Sequence, residues 1–219
     1  MKTIVLVNQK GGVGKTTLAA HLAVAAELGG DGPCVLMDTD PQASLASWWN
    51  CRAETTPAFA PVTLQELSKT LAALAQAGYA YGFIDTPPAI TASIEAVVAL
   101  ADFVLIPTRP SPHDLRAVGR TVELAVAAHR AFAFAVTQAK PNTRLTVQVV
   151  AALSAHGVVA PAIVHDRVDY AASMIDGRTV LEIEAKGRSA SEMRALWSFV
   201  KTRMNESKQS RKAEGTNDE

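Results

Sequence analysis

The chain has 219 residues, with 21 Lys plus Arg against 21 Asp plus Glu and 48% hydrophobic residues. That length suits one α/β domain burying about two-thirds or more of its unfolded surface without disulfide or metal staples. Balanced charge excludes a polybasic coat or an acidic tail, so any contact with a polyanion must be local. No apolar run approaches the roughly 20 residues that span a bilayer, the opening MKTIVLVNQ reads as a strand rather than a secretion signal, and Cys34 and Cys51 fit a reducing cytoplasm.

In chain order, short β-branched and apolar runs over 3–7, 34–37, 82–84, 103–106, 131–136 and 158–164 alternate with Ala- and Leu-rich stretches of helical spacing. The helical stretches cover 15–28, 64–77, 91–100, 115–129, 146–156 and 189–204. Several of the strand runs are apolar on both faces, which fits strands covered on both sides. The expected fold is therefore α/β: a doubly wound, mostly parallel sheet with helices on both faces. One domain over 1–204 is expected, followed by a polar tail over 205–219 without an apolar face, read as disordered. Trp48 and Trp49 fall on an expected helix, as core packing or as part of a dimer face.

The first strand runs into a glycine-rich turn and a helix, the context a phosphate cradle requires. Gly11, Gly12 and Gly14 let backbone N–H groups of Gly11, Gly12, Val13, Gly14, Lys15, Thr16 and Thr17 converge on an anion at a helix N-terminus. Lys15 is expected on the β- and γ-phosphates and the Thr16 hydroxyl on Mg²⁺, which makes ATP with Mg²⁺ the expected ligand. The usual first glycine of such a loop is replaced by Gln9, and a second lysine, Lys10, follows it. Asp38 and Asp40 end the second strand on one side of it, where one approaches the metal shell and the other orients an attacking water. Asp85 ends an apolar run, and its carboxylate is expected to hold Mg²⁺ through water.

The loop Lys10-Gly-Gly-Val-Gly-Lys-Thr16, the segment Asp38-Thr-Asp-Pro-Gln42 and the segment Asp85-Thr-Pro-Pro88 together resemble the deviant Walker A ATPases of the ParA/MinD family, in particular small ParA-type partition proteins. The stretch Pro110-Ser-Pro-His-Asp-Leu115, Asp166-Arg167 and Gly177-Arg-Thr-Val180 extend the resemblance to about residue 204. It implies an ATPase, slow without a partner, in which Lys10 reaches the phosphates of a second copy in an ATP-bound homodimer. It implies Lys10, Lys15 and Asp40 as catalytic residues, with Asp40 on the water and Thr16, Asp38 and Asp85 at the metal. A ParB-like or other adaptor that stimulates hydrolysis is implied, as is a nucleoid-associated, cytoplasmic location.

Basic residues cluster around the last helix: Lys186, Arg188, Arg194, Lys201 and Arg203. With Arg167, which the resemblance places near DNA, they form the expected patch for nonspecific DNA. The same residues are also open to reading as a solvated helix face. A MinD-like membrane regulator is the alternative, but the tail has no amphipathic stripe, so no membrane partner is expected. A metabolic or metal-cluster P-loop enzyme is a second alternative. The five histidines lack metal-ligand spacing, and Ser111 and Ser189 lack a nucleophile-elbow context. For the nucleotide base, Gln138 and Pro107 are the candidates, from the ends of later strands.

Overall fold

The structure, a computed structural model, describes residues 1–214, with side chains through residue 206. Strands β1 (Lys2–Leu6), β2 (Cys34–Asp38), β3 (Ala58–Phe59), β4 (Tyr81–Asp85), β5 (Phe103–Thr108) and β6 (Ala131–Val136) form one six-stranded sheet. Its order is β3-β2-β4-β1-β5-β6 and every pairing is parallel. The chain builds outward from β1 in both directions. The crevice where ligands of such sheets bind therefore opens at the carboxyl ends of the central strands.

Period-two alternation divides the strand side chains between two cores. Ile4, Leu6, Leu36, Phe83, Phe103 and Leu105 face one layer, while Val5, Val7, Val35, Met37, Ile84, Val104 and Ile106 face the other. The first layer is built by α1 (Lys15–Leu28), α2 (Ser44–Asn50), α7 (Val168–Ser173), α8 (Val180–Ile183) and α9 (Arg188–Glu214). The second is built by α3 (Leu67–Gln76), α4 (Ala92–Ala99), α5 (Pro112–Ala127) and α6 (Arg144–Ser154). Helix α1 is buried without a break from Leu18 to Ala26, so its small apolar residues wrap all sides instead of forming a stripe. Its helical frame holds the phosphate loop against the centre of the sheet.

The sequence reading departs from the structure at identifiable places. The expected strand over 158–164 forms a single isolated bridge, Val159 to Phe134, with a second just beyond it at His165 to Ala139. Pro161 lies between them and has no N–H to continue a ladder. Ala160 N and Val164 N still donate to Phe134 O and Val136 O, at 2.8 and 2.9 Å, so the segment runs alongside β6. The residues from Asn205 to Glu214, expected to lack regular structure, continue helix α9. Buried Ala190, Met193, Leu196, Trp197, Val200 and Met204 anchor that helix, and propagation past an anchored stretch costs little for residues such as Lys, Gln, Arg and Glu. Residues 215–219 lie outside the described residues. Trp48 and Trp49 pack inward, their indole N–H groups donating to Arg178 O and Pro57 O at 3.1 and 2.9 Å.

Candidate nucleotide site

The loop between β1 and α1 is shaped by two glycines with positive φ, Gly12 at 70° and Gly14 at 90°. Side chains strain in that region, so the loop turns tightly only because these positions lack Cβ. Its outer wall is pinned by β5, α5 and the residues that follow β6. Asn8 Nδ2 donates to Pro107 O at 2.8 Å, Gln9 Nε2 to Ala117 O at 2.9 Å, Thr137 Oγ1 to Val13 O at 2.9 Å and Gln138 Nε2 to Gly12 O at 2.6 Å. Sequence reasoning missed Asn8, Gln9 and Thr137 in this role, because each acts on backbone atoms brought close only by the tertiary fold.

Lys15 is 7% exposed, and its ammonium donates to Asn8 O and Lys10 O at 3.2 Å each. Burial lowers its pKa, while the nearby Asp85 and Asp40 carboxylates oppose that shift. Thus a cation lies folded into the mouth of the loop. Lys10 is half-buried and its ammonium has no hydrogen-bond or ion-pair partner among the described residues.

The carboxylates stand at the carboxyl ends of adjacent strands. Thr16 Oγ1 donates to Asp85 Oδ2 at 2.5 Å, and Asp85 Oδ1 is buried with no hydrogen-bond partner. Burial first, then Asp38 and Asp40, push the Asp85 pKa up to about 7, with Thr16 and Lys15 pulling against them. A hydroxyl beside a buried, half-satisfied carboxylate fits a hard divalent cation, whose charge would favour the ionised form.

Asp38, expected at the metal, accepts backbone N–H groups on both oxygens. Its Oδ1 accepts from Asp40 N at 2.9 Å, and its Oδ2 accepts from Leu45 N and Ala46 N at 2.9 and 3.0 Å. Oδ1 therefore braces the turn after β2, and Oδ2 serves the first turn of α2, satisfying helix-end N–H groups that would otherwise be orphaned. Asp40 is half-buried, with Oδ1 accepting from Gln42 N at 3.0 Å, on the turn that Asp38 holds.

Beside the loop lies a cavity of about 200 Å³ lined in part by Gly14, Thr17, Thr137, Gln138, Asp166 and Tyr170. Of the two candidates for the base, Gln138 lines this cavity, whereas Pro107 is buried and its carbonyl accepts from Asn8. Arg167 lines the same cavity, bound to Glu192 at 2.9 Å. Glu192 also accepts from Tyr170 Oη at 2.8 Å and contacts His165 Nδ1 at 2.8 Å. Arg167, expected in a DNA patch, is engaged in an internal cluster beside the loop. Lys201 pairs with Asp31 at 2.5 Å and Arg203 with Glu206 at 2.7 Å, whereas exposed Lys186, Arg188 and Arg194 have no ion-pair partner among the described residues.

Residues 4–180 match the family described as the CobQ/CobB/MinD/ParA nucleotide binding domain. The chain is 30% identical to "Maintenance of carboxysome distribution protein A" of Halothiobacillus neapolitanus, over 87% of this chain and 91% of that protein. It is 31% identical to "Chromosome-partitioning ATPase Soj" of Thermus thermophilus, over 71% of this chain and 77% of that protein. An ATP complex of a Cyanothece McdA variant superimposes with a TM-score of 0.73 at 19% identity, covering 94% of this chain and 96% of the other. Loop, carboxylates, strand order and family match agree: the chain belongs to the CobQ/CobB/MinD/ParA family of nucleotide-binding proteins, on its ParA/MinD side.

Proposed function

We propose that this protein binds ATP with Mg²⁺, dimerises in that state, binds DNA without sequence preference, and positions a cargo through cycles of ATP hydrolysis. The observation that carries the ATPase reading is the Thr16–Asp85 pair beside Lys15, with a buried Asp85 oxygen that has no partner. Phosphates entering the loop give the Lys15 ammonium acceptors stronger than the carbonyls it now holds. Thr16 and Asp85 would hold Mg²⁺, which neutralises charge on the phosphates when bound. Asp40, presented by the turn that Asp38 braces, positions the attacking water. Lys10 acts on the phosphates of a second copy, a role supported by its half-buried position in the loop with an ammonium that has no partner among the described residues.

Three exposed cations, Lys186, Arg188 and Arg194, support the DNA reading, because phosphate contacts need only local charge. Relatives named for carboxysome distribution and for chromosome partitioning support a positioning role for either a protein assembly or a DNA region. Fluorescent ATP titration with and without Mg²⁺ tests the site. Wild type binds, Lys15→Ala does not, and equal affinity of the two would sink the assignment.

A further inference from the structure

Arg109 follows the last residue of β5 and is held in a fixed orientation. Its Nε donates to Asp114 Oδ2 at 2.7 Å and its Nη2 to Asp114 Oδ1 at 3.1 Å. Asp114 sits in the first turn of α5, where the helix N-terminus favours a carboxylate. It is buried, while the Arg109 side chain keeps 35% of its exposure. A buried carboxylate costs desolvation, offset here by two charge-assisted bonds, and the result is a guanidinium locked in one plane.

The side-on grip leaves Nη1 with no acceptor among the described residues. That nitrogen lies beside the phosphate loop, since a Cβ built on Gly12 comes within 3.8 Å of it. Gly11 and Gly12 are exposed at this point, and Lys10 precedes them with its own ammonium unengaged. A planar fork with one edge anchored and the other open beside an anion cradle is preorganised to bind a phosphate oxygen.

We propose that Arg109 is a polyphosphate contact of the nucleotide site and that Asp114 is the residue that positions it. The proposal rests on the ATP reading of the loop. The phosphate is carried by the nucleotide of the same chain or by one that a second copy presents to the exposed loop. The chemistry is the same in both cases.

The test is fluorescent ATP titration, sedimentation and single-turnover hydrolysis on wild type, Arg109→Ala, Arg109→Lys and Asp114→Asn, with exposed Arg116→Ala as the control expected to match wild type. A same-chain contact lowers ATP affinity about tenfold or more in Arg109→Ala at concentrations where the chain is monomeric. A second-copy contact leaves that affinity unchanged and lowers ATP-dependent association and turnover by a similar factor. Lysine at 109 does not restore either, because it cannot be gripped by two bonds. Asp114→Asn weakens the same step with Arg109 present and has no further effect in Arg109→Ala.

Arg109→Ala leaves a buried carboxylate without its partner, so the double variant Arg109→Gln/Asp114→Asn removes both charges at once and must show the same nucleotide defect with a wild-type thermal melt. Variants that shift the melt while keeping affinity, association and turnover in a chain that binds ATP overturn this proposal alone. A wild-type chain that fails to bind ATP overturns the ATP reading and this proposal with it.

Discussion

Asp38 and Asp85 are register partners at the carboxyl ends of β2 and β4, yet they face opposite requirements. Asp38 has both oxygens committed to backbone N–H groups, whereas Asp85 bonds Thr16 with one oxygen and has the other buried without a partner. Substitution should separate the two. Asp38→Ala releases the start of α2 and should cost about 1–3 kcal/mol of stability in a urea melt. Asp85→Asn should retain that stability more nearly and reduce Mg²⁺-dependent hydrolysis by about a hundredfold or more. Equal effects of the two on the Mg²⁺ dependence would return Asp38 to the metal shell.

Asp40→Ala should keep ATP affinity and accumulate the dimer, because it removes water positioning while leaving the loop's phosphate contacts intact. Sedimentation with ATP checks this, and only monomer in the variant would contradict it.

A pH effect follows from His21, which is fully buried in α1. Its Nδ1 lies 2.8 Å from Thr17 O and its Nε2 accepts from Val180 N at 3.3 Å, so the folded chain uses the neutral ring. Burial lowers its pKa from 6.5 to about 4. Below pH 6.5 the unfolded chain binds a proton that the folded chain refuses. The stabilisation is therefore complete above that pH and is lost as pH falls toward 4, by about 2 kcal/mol between pH 7 and pH 5. Urea melts of wild type and His21→Gln should show wild type losing more stability over that interval by roughly that amount. Parallel losses would remove His21 as the cause.

Arg188→Ala should weaken binding to random and defined DNA alike and lower the salt slope by about 0.9 for each phosphate that the variant no longer neutralises. Interferometry at several salt concentrations, with ATP and with ADP, gives both quantities. Equal wild-type binding in the two nucleotide states, or none in either, would defeat the DNA reading. Lys201→Ala should have a smaller effect on DNA than Arg188→Ala, since Lys201 is paired with Asp31.

The phosphate loop was legible in the sequence because its chemistry is local. Gly12, Gly14, Lys15 and Thr16 act through backbone freedom and a helix N-terminus that neighbouring residues alone create. The parallel sheet was legible for a similar reason, since strands buried on both faces must be apolar throughout. Other features needed the fold. Asp38 carries the residue type and strand position of a metal ligand, and only the seating of α2 against β2 turns its oxygens to backbone N–H groups. Arg167 counts as a basic residue in the sequence, but Glu192, arriving from α9, holds it beside the loop. Arg109 reads as one more surface cation until α5 buries Asp114 against it and β5 sets its free nitrogen beside Gly12. A charge declares its sign in the sequence, but its partner is chosen by packing, because ion pairs form across distances in space that chain order does not encode.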